Sequence, residues 1–202
     1  SNDFFRWGEL YVSIRMANIV IARIGECTDI TDFERRDFLG RAYFIRAYSY
    51  YTLVMQYGPV PIVPDQAFPT NASVDQMSYP RATYTECVEK ICSDFEQAAS
   101  LLKAADERDA STYRIPTSGG ALALMSRVRL EAASPWFNGN KYYYDFLRSS
   151  DNQPYFPQNY DSHKWAVAAV AAKRVIDLNF GLGILGRAGR ISEGFTNREK
   201  FK

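Results

Sequence analysis

The chain has 202 residues, a hydrophobic fraction of 47%, a charged fraction of 23% and a net charge of +1. That length and apolar content suit one domain with a real core, and with even charge balance and no visible basic stripe, nucleic acid is not expected as a partner. Three irregularly spaced cysteines, Cys27, Cys87 and Cys92, argue against a disulfide framework and read as small buried apolar residues. No apolar run is long enough to span a bilayer.

Residues 7–24 read as a helix, because Leu10, Ile14, Ala17, Ile21 and Ile24 recur at helical spacing. A turn from Gly25 to Thr31 leads to a second helix from about Asp32 to Tyr57, with Phe33, Phe38, Ala42, Ile45, Leu53 and Tyr57 on its apolar side. Gly58 stops it and Pro59 prevents its resumption. Val60-Pro61-Ile62-Val63 is an extended run, too short and proline-bound for a central strand. A polar loop follows over 64–80, punctuated by Pro64, Pro69 and Pro80. The third helix opens on a capping box, Thr83 with Glu86. It keeps period through Val88, Ile91, Cys92, Phe95, Ala98 and Leu102. The fourth runs from about Thr117 to Ala133, where Ser134-Pro135 ends it. A second long loop, 135–160, is rich in aromatics. The fifth helix spans about Ser162 to Leu178, with Trp165, Ala168, Ala169, Ala172, Val175 and Ile176 on its packing side. The fold class is all-α: a helical-hairpin scaffold of tetratricopeptide type with long loops, whose spacing holds no clean period of ~34 residues.

Catalytic chemistry finds little footing. Gly181 to Gly186 fits G-x-G-x-x-G, but a helix precedes it where a dinucleotide site needs a strand. His163 is the only histidine and reads as an exposed first-turn residue. No carboxylate pair stands out from those at helix starts. No catalytic, metal or cofactor residue is expected. Arg41 and Arg46, inside the aromatic helix, read as packed stems with paired heads, Asp94 being a candidate partner.

Several stretches carry a resemblance: Arg46-Ala47-Tyr48 leading to Tyr57-Gly58-Pro59-Val60-Pro61, Pro80-Arg81-Ala82-Thr83-Tyr84, Asp94-Phe95-Glu96-Gln97-Ala98, Ala121 to Leu124, Ser134-Pro135-Trp136-Phe137-Asn138-Gly139, and Trp165 through Asp177. In this order they resemble the SusD/RagB family of outer-membrane nutrient-binding lipoproteins of Bacteroidetes. The resemblance implies a tetratricopeptide-like scaffold and a non-enzymatic role in capturing glycans, or sometimes peptides, at the cell surface. It implies a SusC-like TonB-dependent transporter as partner, and a membrane link only through an N-terminal lipidated cysteine that this chain lacks. Residues 1–180 would be the N-terminal helical-repeat domain. Residues 181–202 would be a Gly-rich tail leading into a further C-terminal portion.

Sugars present apolar C–H faces ringed by hydroxyls, so a glycan site wants flat rings beside polar side chains. The 64–80 loop and its exit offer Phe68, Asn71, Gln76, Tyr79 and Arg81, and the second loop offers Trp136 with Asn138, Tyr142 and Tyr144. In the family, contacts commonly come from the region after the Gly-x-Val-Pro strand, which favours the first loop. Loop-to-helix packing is the competing reading for each ring. A helical adaptor binding a peptide or protein is the competing reading for the chain.

Overall fold

The computed structural model describes residues 6–66, 73, 78–104 and 114–179. Among them are five α-helices: α1 (Trp7–Arg23), α2 (Asp32–Tyr57), α3 (Tyr84–Leu101), α4 (Ser118–Ala133) and α5 (His163–Asp177). Each packs mainly against the next in sequence. Their starts are chemically specified. Thr83 and Glu86 form the expected capping box on α3, and Thr31 with Glu34 forms a second on α2. Thr117 caps α4 by accepting the Gly120 amide. Gly58, at φ +69°, ends α2 in a conformation that favours glycine.

The core runs through the stack. Leu10 and Ile14 of α1 meet Tyr50 and Leu53 of α2, then Ile91 and Phe95 of α3, then Leu122 and Met125 of α4. Full burial of each large side chain contributes roughly 1.5–3 kcal/mol. Cys87 and Cys92 are buried and unbonded, as expected, and burial pushes their thiols up to about 11 and about 12. Cys27 departs from expectation and is exposed.

Two apolar faces also depart from expectation. On α2, Phe33, Phe38 and Ile45 are exposed, while Ala42, Ala47, Tyr50, Leu53 and Val54 are buried. The helix lies between α1 and α3, and its buried stripe is set by those neighbours. On α5 only Ala168 and Ala171 are buried, and Trp165, Ala169, Ala172 and Ile176 face outward. This helix has α4 as its principal neighbour, so among the described residues most of its apolar side is uncovered.

The aromatic loop after α4 folds back onto α3. Phe137 stacks on Tyr84 at 4.5 Å, and Tyr143 stacks on Phe156 at 4.2 Å. The Tyr84 amide donates to the Tyr155 carbonyl at 2.7 Å. Asn138 is buried and pins the two ends of the loop together: its amide donates to the Ala133 and Asp161 carbonyls, and its oxygen accepts the Asp161 amide. Gly139, at φ +79°, passes so close to the Tyr160 backbone that a Cβ would lie 2.5 Å from its nitrogen. Packing therefore claims Asn138 and most of these rings. His163 sits exposed in the first turn of α5, as expected, and the Gly181–Gly186 motif and the tail 181–202 lie outside the described residues.

Candidate functional site

A buried ion network sets the geometry where α2 hands over to the loop. Arg46 is 1% exposed. Its Nε and Nη2 donate to the two oxygens of Asp94 at 2.8 and 2.7 Å. Nη1 donates to Asn18 Oδ1 at 2.6 Å and to Asp65 Oδ1 at 2.9 Å, and Nη2 also reaches Asp65 Oδ2 at 3.2 Å. All five guanidinium donors are thereby used, which is what makes burying this charge tolerable. Lys90 adds its ammonium to both Asp65 oxygens, at 2.7 and 2.9 Å.

The extended run 60–66 is held along its length. Tyr50 Oη accepts the Val63 amide, Asn18 Nδ2 donates to the Pro64 carbonyl, and Tyr11 Oη donates to the Pro61 carbonyl at 2.7 Å. Burial raises the Tyr11 and Tyr50 phenols above their usual range, so both stay protonated. The returning chain is fixed next to it. The Ala82 amide donates to the Val60 carbonyl, and Arg81 Nη1 donates to the Tyr57 and Pro59 carbonyls at 3.1 and 2.7 Å. Arg81 thus closes the C-terminal end of α2, where free carbonyls favour a cation.

Between this held segment and α1 lies a cleft of about 420 Å³. Trp7, Tyr11, Arg15 and Asn18 line it from α1, Pro61, Val63 and Gln66 from the extended run, and Ser78 and Tyr79 from the returning chain. The α1 residues fall at i, i+4, i+8 and i+11, which places them on one face of the helix. Trp7 is set by Tyr11 at 5.0 Å, by Tyr57 edge-on at 5.1 Å and by the Arg81 guanidinium over its ring at 5.9 Å. Arg15 carries no ion pair or hydrogen bond among the described residues. Aromatic rings, amides, hydroxyls and one guanidinium therefore converge on a single concave surface, an arrangement suited to an oligohydroxylated ligand.

Of the residues expected from the sequence, Tyr79 lines this cleft. Arg81 lies beside it, committed to carbonyls. Trp136 is 59% exposed, stands edge-on to Tyr143 in the aromatic loop and is not among the cleft-lining residues. Phe68, Asn71 and Gln76 lie outside the described residues. The α1 stripe was not singled out by periodicity, because Trp7, Tyr11, Arg15 and Asn18 alternate with the core stripe Leu10, Ile14 and Ala17. An aromatic, cation and amide series at three- to four-residue spacing is the signal that marks it.

A second concavity, about 630 Å³, runs between α1 and α2 and is almost wholly apolar; Val12, Met16, Val20, Phe38 and Ile45 contribute exposed side chains. Among the described residues, no cluster could hold a metal ion and no helix is long and apolar enough to cross a membrane.

Comparison with known proteins decides the family. A family profile described as "Starch-binding associating with outer membrane" matches residues 2–130. The chain belongs to the SusD-like family. A SusD-like protein P38 of Formosa agariphila is 30% identical over 105 residues, covering 50% of this chain and 19% of the relative. The solved structure of BT4246 superposes with a TM-score of 0.76 at 25% identity, over 90% of this chain and 31% of that one. A SusD-like protein of Bacteroides fragilis gives a TM-score of 0.56 at 31% identity, over 63% of this chain and 23% of that one. This SusD-like chain thus spans less than a third of the length of these relatives, and its helices are the tetratricopeptide-like scaffold of the family.

Proposed function

We propose that this SusD-like chain is part of a surface glycan-binding protein that serves nutrient uptake at the outer membrane. The whole protein would be held there by a lipid anchor and would pass its ligand to a SusC-like TonB-dependent transporter. Family membership supports the class. The observation that carries the reading to a site is the cleft, where Trp7, Tyr11 and Tyr79 stand beside Gln66 and Ser78. A pyranose would lay its C–H face on a ring and its hydroxyls on the Gln66 amide and the Ser78 hydroxyl. The expected ligand residues Phe68, Asn71 and Gln76 lie in sequence between Gln66 and Ser78, two residues that line the cleft. Trp136 would serve as an outlying platform. The reading is capture without bond cleavage, as family membership supports.

Calorimetry of the chain against neutral oligosaccharides tests this. Tyr79→Ala should weaken binding about tenfold, the loss of one stacking ring at ~1.4 kcal/mol. Unchanged affinity in that variant moves the site elsewhere. A second reading, a helical adaptor for a peptide, is favoured by the groove between α1 and α2, whose apolar lining suits the apolar face of an amphipathic helix. Binding of such peptides with no response to any oligosaccharide would replace the first reading with the second.

A further inference from the structure

We infer that the cleft beside α1 selects acidic sugars, with Arg15 as the group that recognises a uronate carboxylate. The inference rests on the glycan-binding reading and names the ligand class of the same site.

Most other helical arginines pair with a carboxylate, and Arg35 and Arg36 donate to backbone carbonyls. Arg23 pairs with Glu26, Arg41 with Asp37, Arg127 with Glu131, Arg129 with Glu89 and Arg174 with Glu96. Arg15 is only partly exposed, lines the cleft, and has no such partner among the described residues. A guanidinium partly withdrawn from water and left without an acceptor is a standing demand for an anion.

The nearest acidic position in the cleft wall cannot meet that demand. Asp65 adjoins Gln66, yet both of its oxygens already accept from Arg46 and Lys90. The buried network thus engages Asp65 beside the cleft, and among the described residues no acidic side chain lines the cavity. Arg15 is the charged side chain among the described lining residues, in a chain whose net charge is only +1. A planar carboxylate can take two parallel N–H bonds from a guanidinium, which a neutral hydroxymethyl cannot. The rings of Trp7 and Tyr79 would hold the sugar face while Arg15 reads the substituent at its edge.

Isothermal titration of the full chain with oligogalacturonate and with a neutral malto-oligosaccharide of equal length tests the inference. The uronate oligomer should bind at least about tenfold more tightly at low salt, with the preference shrinking as ionic strength rises. Arg15→Gln should cost the uronate oligomer about tenfold and the neutral one threefold or less, and Arg15→Lys should restore part of the preference. A neutral oligomer that binds as well as the uronate, or a preference that survives Arg15→Gln, overturns the inference and leaves glycan binding standing. Failure of both oligomers to bind overturns the glycan-binding reading itself.

Discussion

Arg46 shows how one side chain can join distant parts of the sequence. It lies at 1% exposure and bonds to α1 through Asn18, to α3 through Asp94 and to the extended run through Asp65. Removing it leaves Asp94, itself buried, without its main counter-charge. Arg46→Ala should therefore cost about 3–5 kcal/mol of unfolding free energy, read by urea denaturation. A loss below ~1 kcal/mol would mean that Lys90, 3.5 Å from Asp94, takes over the charge. The pairing with Asp94 was legible in the sequence, because an arginine among aromatics on a core helix needs a carboxylate within reach. The bonds to Asn18 and Asp65 were not, since nothing local marks residues 28 and 19 positions away as neighbours.

At the scale of elements, the run 60–66 is held by side chains rather than by a sheet. Asp65 is half-exposed, so its value is local more than global. Asp65→Asn should leave the melting transition nearly unchanged, within about 1 kcal/mol, yet speed amide exchange at Val63 and Gln66 about tenfold relative to the helices. Equal acceleration in α2 and α3 would make Asp65 a global element, and no acceleration would leave the other bonds of the run sufficient. Helix bounds were readable almost residue by residue because Gly58-Pro59, Thr83 with Glu86 and Ser134-Pro135 are chemical stops and starts. The facing of α2 was less so. Phe33, Phe38 and Ile45 are apolar and in period, but only the position of neighbouring helices decides which stripe is buried. The cleft is the least legible part, since it draws on α1, the extended run and the returning chain at once.

For the whole molecule, stability is graded along the stack. α3 buries eight residues and α5 buries two, Ala168 and Ala171. Beyond α4, α5 is tied back to α3 by Arg174 with Glu96, a half-exposed pair that adds little. Hydrogen exchange should find α5 amides at least ~100-fold less protected than those of α3. Comparable protection would mean that α5 unfolds only with the whole.

The principal helix contacts join sequence neighbours, and this bears on how the chain finds its shape. Local contacts require little loop closure before they are rewarded, so a chain built this way collapses quickly. The α2 and α3 pair, joined by Arg46 and Asp94, is the natural place for order to begin, with α1 and α4 adding on either side. The return of Phe137 and Phe156 onto Tyr84 asks for α4 and its loop to be in place first. The expected order places closure of that aromatic stack after the docking of α4, which pulsed hydrogen exchange would check.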